Sequence, residues 1–187
     1  MREFDYKYVR KCSFVKTENI VCSGSFNQPV NLSLLAQERV IEYDPEMYHG
    51  GYIKTKNHSI TIYRSGKYIM PGIKSSEDAA ETFAKMNEIL TPYLDTALFD
   101  EPSIRNMVCS AYAGHELILS RLYLDLIGGD YDAVYEPEAF PGLILKMDNC
   151  TYNVFSSGKY LILGCTDVAQ AEAAELNFIN LVQSVYQ

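Results

Sequence analysis

No stretch of the 187-residue sequence approaches the roughly 20 consecutive apolar residues that a membrane-spanning helix needs. The opening Met1-Arg2-Glu3-Phe4-Asp5 lacks the apolar core of a signal peptide. Five cysteines, an odd number without paired spacing, argue against a disulfide framework and for a reduced intracellular chain. The three histidines, His49, His58 and His115, form no ligand cluster with them, so neither a metal nor a cofactor is expected. Serine, histidine and aspartate do not fall in a triad spacing, and no carboxylate pair suggests an acid and a base. The chain is therefore not read as an enzyme, and no residue is assigned a catalytic role. A basic excess is missing too: 16 lysines and arginines face 24 acids, a formal charge of −8. That balance weighs against nucleic acid, although binding depends on where the cations cluster rather than on their sum.

What is present is a repeat. Tyr43-Asp44-Pro45-Glu46, Ser65-Gly66-Lys67-Tyr68 and Gly72 recur as Tyr135-Glu136-Pro137-Glu138, Ser157-Gly158-Lys159-Tyr160 and Gly164, at a constant offset of 92. An earlier block, Asn19-Ile20-Val21-Cys22-Ser23, returns as Asn106-Met107-Val108-Cys109-Ser110 at an offset of 87. The difference marks a five-residue insertion in the second copy, near Leu126-Ile127-Gly128-Gly129-Asp130. Aligning 43–74 with 135–166 gives 11 identities in 32 positions. Units of this length are too long for a solenoid and describe a duplicated half-domain. The expected organisation is an N-terminal segment over 1–16, a first repeat over 17–98 and a second over 99–187.

Each copy opens with an apolar strand, and a short amphipathic helix follows near 31–38 or 115–126. The proline of the Tyr-Asp/Glu-Pro-Glu block forces the residue before it out of helical space and predicts a loop. Alternating segments at 51–55, 59–63 and 67–70, and at 143–147, 151–155 and 160–163, predict antiparallel strands. Ser-Gly-Lys between the last two is a hairpin turn; it lacks the preceding glycine and the helix start of a phosphate-cradling loop. A longer helix closes each half. In the first, Ser75 is the candidate N-cap and Ala79, Phe83, Met86 and Leu90 form one face; the second runs from about Asp167 through Leu176, Ile179 and Val182. Segregated helices and antiparallel strands make an α+β fold, with helices on one face of a combined ten-strand sheet and the other face open.

Asn-Met-Val-Cys-Ser at 106–110, Tyr-Glu-Pro-Glu-Ala-Phe-Pro-Gly-Leu-Ile at 135–144 and Phe-Ser-Ser-Gly-Lys at 155–159 resemble the TATA-box-binding protein (TBP) family over about 17–185. The resemblance implies a pseudo-twofold saddle of two repeats, its continuous curved sheet gripping a widened minor groove and its helices on the convex face. It also implies a general transcription initiation factor that binds and bends A·T-rich promoter DNA, a mode of which this family is the standard example. By the same resemblance, Asn19 and Asn106 reach base edges, and Val21, Val108, Ile69 and Leu161 form the groove floor with Thr61 and Asn153, where the family has leucines. Pro71 and Leu163 stand where it has threonines. Phe140 and Phe155 match one wedge pair; Tyr48 and Tyr63 occupy the other, and their hydroxyls need partners in an apolar step. Lys54, Lys67, Lys74, Lys146 and Lys159 match phosphate-gripping cations, whereas Thr166 replaces the counterpart of Lys74.

Glu136 and Glu138 match carboxylates that the family offers to TFIIB-type factors. The implied partners are thus double-stranded promoter DNA, a TFIIB-type factor and, indirectly, RNA polymerase, with a monomer on DNA and no membrane. The implied location is the nucleus for a eukaryotic source, the cytoplasm for an archaeal one, and the site of viral transcription for a viral one. The acidic excess has an expected home beside the closing helices: Glu77, Asp78, Glu81, Glu88, Asp95, Asp100, Glu101, Glu172 and Glu175.

As residues alone, these positions have plainer readings: the aromatics as core, the lysines as solvated surface, the asparagines as strand caps. The functional alternative keeps the fold but makes it a protein-interaction module with weak or lost DNA binding, favoured by the acidic charge, Thr61, Asn153 and Glu46. An accessory domain of a nucleic-acid enzyme is a third reading, which the lack of a catalytic segment after the second closing helix disfavours.

Overall fold

The computed structural model describes residues 15–186, so the N-terminal segment expected over 1–16 falls almost wholly outside the described residues. Two compact units divide the chain: Asn19–Asn106, and the remainder from Met107 together with the first strand's start up to Glu18.

The strands of the first unit are β1 (Lys16–Ser25), β2 (Gly50–Lys54), β3 (Ser59–Tyr63) and β4 (Lys67–Ile73); its helices are α1 (Leu32–Gln37) and α2 (Ser76–Leu90). They hydrogen-bond in the order β2-β3-β4-β1, all antiparallel. The second unit holds β5 (Ser103–Tyr112) from Met107 onward, its first four residues belonging to the first unit, then α3 (Leu119–Gly128), β6 (Asp132–Val134), β7 (Leu143–Met147), β8 (Cys150–Val154), β9 (Lys159–Cys165) and α4 (Val168–Tyr186), with strand order β5-β9-β8-β7-β6. Nine strands are therefore formed among the described residues where ten were expected. The missing place is taken by a single bridge, Glu42 to Tyr52, which lies 92 residues before the β6–β7 pair Val134–Ile144.

Period-two alternation separates the two faces of each sheet. Ile20, Cys22, Ile53, Ile60, Ile62, Tyr68, Met70 and Ile73 are buried against α1 and α2; Met107, Cys109, Leu143, Leu145, Tyr152, Val154, Tyr160 and Ile162 fill the same role in the second unit. The intervening side chains stay half-buried on a face that none of the described helices covers. Cross-strand partners on this face recur: Thr61–Ile69 and Ser23–Ile69 in one repeat, Asn153–Leu161 and Ser110–Leu161 in the other. The hairpin glycines hold matching positive φ of 85° (Gly66) and 81° (Gly158). A β-carbon at either would collide with a carbonyl oxygen, of Gln28 or of His115, so only glycine fits.

Helix ends follow local chemistry. The Ser75 hydroxyl accepts from Asp78 N–H at 3.1 Å and caps α2, and Asn31 caps α1 by accepting from Leu34 N–H. Helix α3 starts at Leu119 rather than at the expected His115. The residues before it are tied to the hairpin instead, Ala113 N–H to Gly158 O and Leu117 N–H to Ser156 O, both at 2.8 Å. It is ten residues long against six in α1, which takes up four of the five inserted residues.

The faces of the closing helices are rotated slightly from expectation. In α2 the buried residues are Thr82, Met86 and Leu90, with Phe83 half-buried and stacked on Tyr68. In α4, Leu176 is 60% exposed, while Ala171, Ala174, Phe178 and Val182 form the inner face and Glu175 is 5% exposed. Glu175 thus leaves the set of solvated acids.

Tyr68 and Tyr160, 92 residues apart and both buried, differ in one respect. The Tyr68 hydroxyl donates to Asp100 O at 2.8 Å, whereas the Tyr160 hydroxyl has no hydrogen-bond partner among the described residues. Burial raises the phenol pKa of both. A buried hydroxyl without a partner costs about 1–3 kcal/mol. Tyr68→Phe should therefore lower stability by about 1 kcal/mol and the melting temperature by about 2–4 °C, while Tyr160→Phe should leave it unchanged or raised. Calorimetry on the two variants checks this; equal losses would contradict it.

Candidate nucleic-acid interface

The side chains singled out from the sequence gather on the open faces and at their rims. On the face of the first unit lie Asn19, Val21, Thr61 and Ile69, half-buried, with Tyr48 and Tyr63 at its edge. Val108, Asn153 and Leu161 occupy matching places in the second unit, with Ile144 and Leu163 beside them and Phe140 and Phe155 at the edge. Asn106 stands next to Val108 on β5 and is half-buried.

The two aromatic pairs have one geometry. Phe140 and Phe155 meet edge-to-face, with centroids 5.9 Å apart and planes at 62°; Tyr48 and Tyr63 do so at 6.4 Å and 61°. The proline-containing loops aim the first ring of each pair, through Phe140 N–H to Glu136 O and Tyr48 N–H to Asp44 O. The second ring ends β3, as Tyr63, or directly follows β8, as Phe155. Between the rings lies a glycine, Gly142 or Gly50, whose added β-carbon would come within 2.7 Å of Phe140 or 2.9 Å of Tyr48. The close approach of the rings to the strand thus requires glycine there.

The hydroxyls of the tyrosine pair have the partner that the sequence reading required: they hydrogen-bond each other at 2.9 Å. His49 packs against the same pair, tilted 4.4 Å from Tyr48 and stacked 5.5 Å from Tyr63 between centroids. The bond from Tyr48, with partial burial, pushes the Tyr63 pKa up to about 12.

The cations are exposed, but they are not alike. Lys54 pairs with Glu42 at 2.6 Å and Lys146 with Asp132 at 3.2 Å. Lys67 and Lys159 begin β4 and β9 at the hairpin turns, and Lys74 follows β4, its backbone N–H bonded to Asp78. Arg64 donates to the Tyr43 hydroxyl at 2.9 Å. A recess of about 1160 Å³ on the first unit is lined by Val21, Tyr63, Lys67, Ile69 and Arg105, among others. Asp100 and Glu101 line it too, so these acids are not confined to the helical side. Glu136 and Glu138 are exposed on their loop. Among the described residues no cluster of three or more metal-ligating side chains occurs.

Sequence reasoning missed three features: His49 against the tyrosines, the carboxylates on Lys54 and Lys146, and Arg105. The last had a signal, a charge change beside each repeated asparagine. The ion pairs had none, because Glu42 and Asp132 are not repeat-equivalent.

The pKa of Tyr63 gives a direct test of the tyrosine bond. Because folding favours its neutral form, its contribution to stability is whole below the ordinary tyrosine range near pH 10 and is lost as pH rises through about 12. Spectrophotometric titration should show one phenol ionising near 12, shifted down in Tyr48→Phe; an unshifted titration would contradict the bond.

Comparisons with known proteins bear on the whole chain. The family model "Transcription factor TFIID (or TATA-binding protein, TBP)" matches it twice, over 14–93 and 101–185. TATA-box-binding protein C of Halobacterium salinarum is 34% identical over 183 residues, covering 91% of this chain and 98% of that one. The TATA-box-binding protein of Archaeoglobus fulgidus is 32% identical over 157 residues, covering 80% and 84%. Among solved structures, Methanococcus jannaschii TBP superposes with a TM-score of 0.79 at 29% identity, covering 91% of this chain and 98% of that one. Two matches to one family model, relatives spanning nearly the full length and a shared fold lead to a single assignment: the chain belongs to the TATA-binding protein family.

Proposed function

We propose that the chain is a transcription initiation factor, not an enzyme, that lays the open faces of its two repeats in the minor groove of A·T-rich promoter DNA and bends it. The observation that supports this most is the pair of matched aromatic couples, edge-to-face over a glycine at the rim of an aliphatic face. Rings held this way have an apolar edge free to enter a base step. Unstacking a step costs a few kcal/mol, offset by the contacts that the bent duplex gains. In this reading Phe140 and Phe155 open one step and Tyr48 and Tyr63 the other. Asn19 and Asn106 bond base edges. Val21, Val108, Ile69, Leu161, Thr61 and Asn153 line the floor, and Lys54, Lys67, Lys74, Lys146 and Lys159 hold phosphates.

The two wedges are unequal. Inserting the tyrosine couple places a hydroxyl pair against unstacked bases, and only one of its two protons is used in the mutual bond. The phenylalanine couple has no such polar load. A TFIIB-type factor is proposed to bind at Glu136 and Glu138, bringing polymerase indirectly, with one copy of the chain per site.

Fluorescence anisotropy on an A·T-rich duplex containing a TATA element, against a G·C-rich control at two salt concentrations, tests the proposal. Selective binding that weakens steeply with salt is expected. Phe155→Ala should weaken it more than Tyr63→Ala; equal losses would contradict the asymmetry. No binding by folded protein would leave an interaction module in place of a DNA-binding factor.

The ion pairs on Lys54 and Lys146 add a second expectation. A phosphate must displace Glu42 or Asp132, and exposed pairs are worth about 0.2–1 kcal/mol. Glu42→Gln and Asp132→Asn should each tighten DNA binding about 1.5–5-fold at low salt. Weaker binding in either variant would show that the carboxylate helps rather than competes.

A further inference from the structure

Two residues at repeat-equivalent positions have opposite charge. Arg105 follows Glu18 at the offset of 87, and Ser110 follows Ser23 at the same offset. Strict alternation from Ile20 and Met107 would turn both charged residues toward the helices. Their side-chain bonds turn them to the open faces instead. Arg105 Nε donates to Ser23 Oγ at 2.8 Å, and Ser23 pairs across the sheet with Ile69 of the groove floor. The Ser110 hydroxyl donates to Glu18 Oε1, also at 2.8 Å, and Ser110 pairs with Leu161. One serine hydroxyl accepts from a guanidinium and its counterpart donates to a carboxylate, so the same anchor holds a cation in one unit and an anion in the other.

The surroundings deepen the difference. Arg105 shares its recess with Arg64 and Lys67 against Asp100 and Glu101, an excess of one positive charge. Glu18 is bonded to Lys16 at 2.9 Å, which tempers but does not reverse its charge. On the same face as Glu18, Asn153 offers an amide oxygen between Ile144 and Leu161.

The minor groove distinguishes these two settings. An A·T or T·A pair shows only acceptors there, and A·T runs narrow the groove and make it more negative; a G·C pair adds the guanine N2–H₂ donor. A guanidinium is donor only and an ionised carboxylate acceptor only.

Resting on the minor-groove reading above, we infer that Arg105 and Glu18 give the protein a polarity on DNA. The unit that contains Arg105, Asn19–Asn106, takes the A·T-only half of an asymmetric site. The unit that contains Glu18 and Asn153 takes a half that contains G·C. Both residues are specificity determinants that stand outside the wedges and the phosphate contacts.

The test uses full-length protein with a donor dye at its C-terminus. The duplex has one A·T-only half and one G·C-containing half, with an acceptor dye at either end. Energy transfer should favour one end by at least about fivefold, the low end of base discrimination by a good contact. The charge swap Glu18→Arg with Arg105→Glu should reverse the favoured end. Glu18→Gln alone should tighten binding to an all-A·T duplex relative to the mixed one. Circular dichroism establishes that each variant is folded. Binding with equal transfer to both ends, or a preference that survives the swap, overturns the polarity and leaves the proposed function standing. No binding of the unsubstituted protein to any duplex overturns both.

Discussion

Everything at the candidate interface depends on the alternation of side chains along antiparallel strands. Because successive residues point to opposite faces, isoleucines, methionines and tyrosines that bury against the helices leave Val21, Ile69, Val108 and Leu161 on a face that none of the described helices covers. A shift of one residue in register would exchange the faces and destroy both core and interface. The register is therefore tightly specified, and the two repeats hold it alike despite limited identity: Thr61 faces Ile69 as Asn153 faces Leu161. An exposed aliphatic face of this kind would be a liability without a ligand. The family assignment gives it one.

Duplication preserves the frame more strictly than the chemistry set on it. The glycine beneath each aromatic couple is retained because any side chain there would meet the rings. The ring identities are free to differ, since phenol and phenyl fill nearly the same volume, and the tyrosine couple tolerates its hydroxyls by bonding them together. The same logic applies to Ser23 and Ser110. A hydroxyl can accept or donate, so the anchor survives while the residue it holds changes sign. The asymmetry of the molecule is thus built from groups that a symmetric frame leaves unconstrained.

The sequence made the frame legible and much less of its polar detail. The constant offset of 92, the alternating segments and the Ser75 cap led to the right elements, since each depends on local pattern. The start of α3 was misplaced because hairpin carbonyls, distant in sequence, claim the amides of Ala113 and Leu117. The inner face of α4 was misjudged at Leu176 and Glu175, where tertiary packing overrode hydrophobicity. Partners of Lys54, Lys146 and Tyr63 come from other strands or loops and cannot be read from spacing. The strand residues singled out from the sequence lie together on each open face because β-strand periodicity places them there, while Tyr48 and Phe140 are brought to its edge by the proline-containing loops.

Ring insertion is the central claim, and base unstacking measures it most directly. A duplex with a TATA element would contain 2-aminopurine at single positions, scanned through the site, and its fluorescence would be recorded with and without protein. The account predicts a rise at two separated steps, with the rise at one of them lost in Phe155→Ala. Binding without a rise at any position would contradict it, since the aromatic couples would then rest against the duplex without entering it.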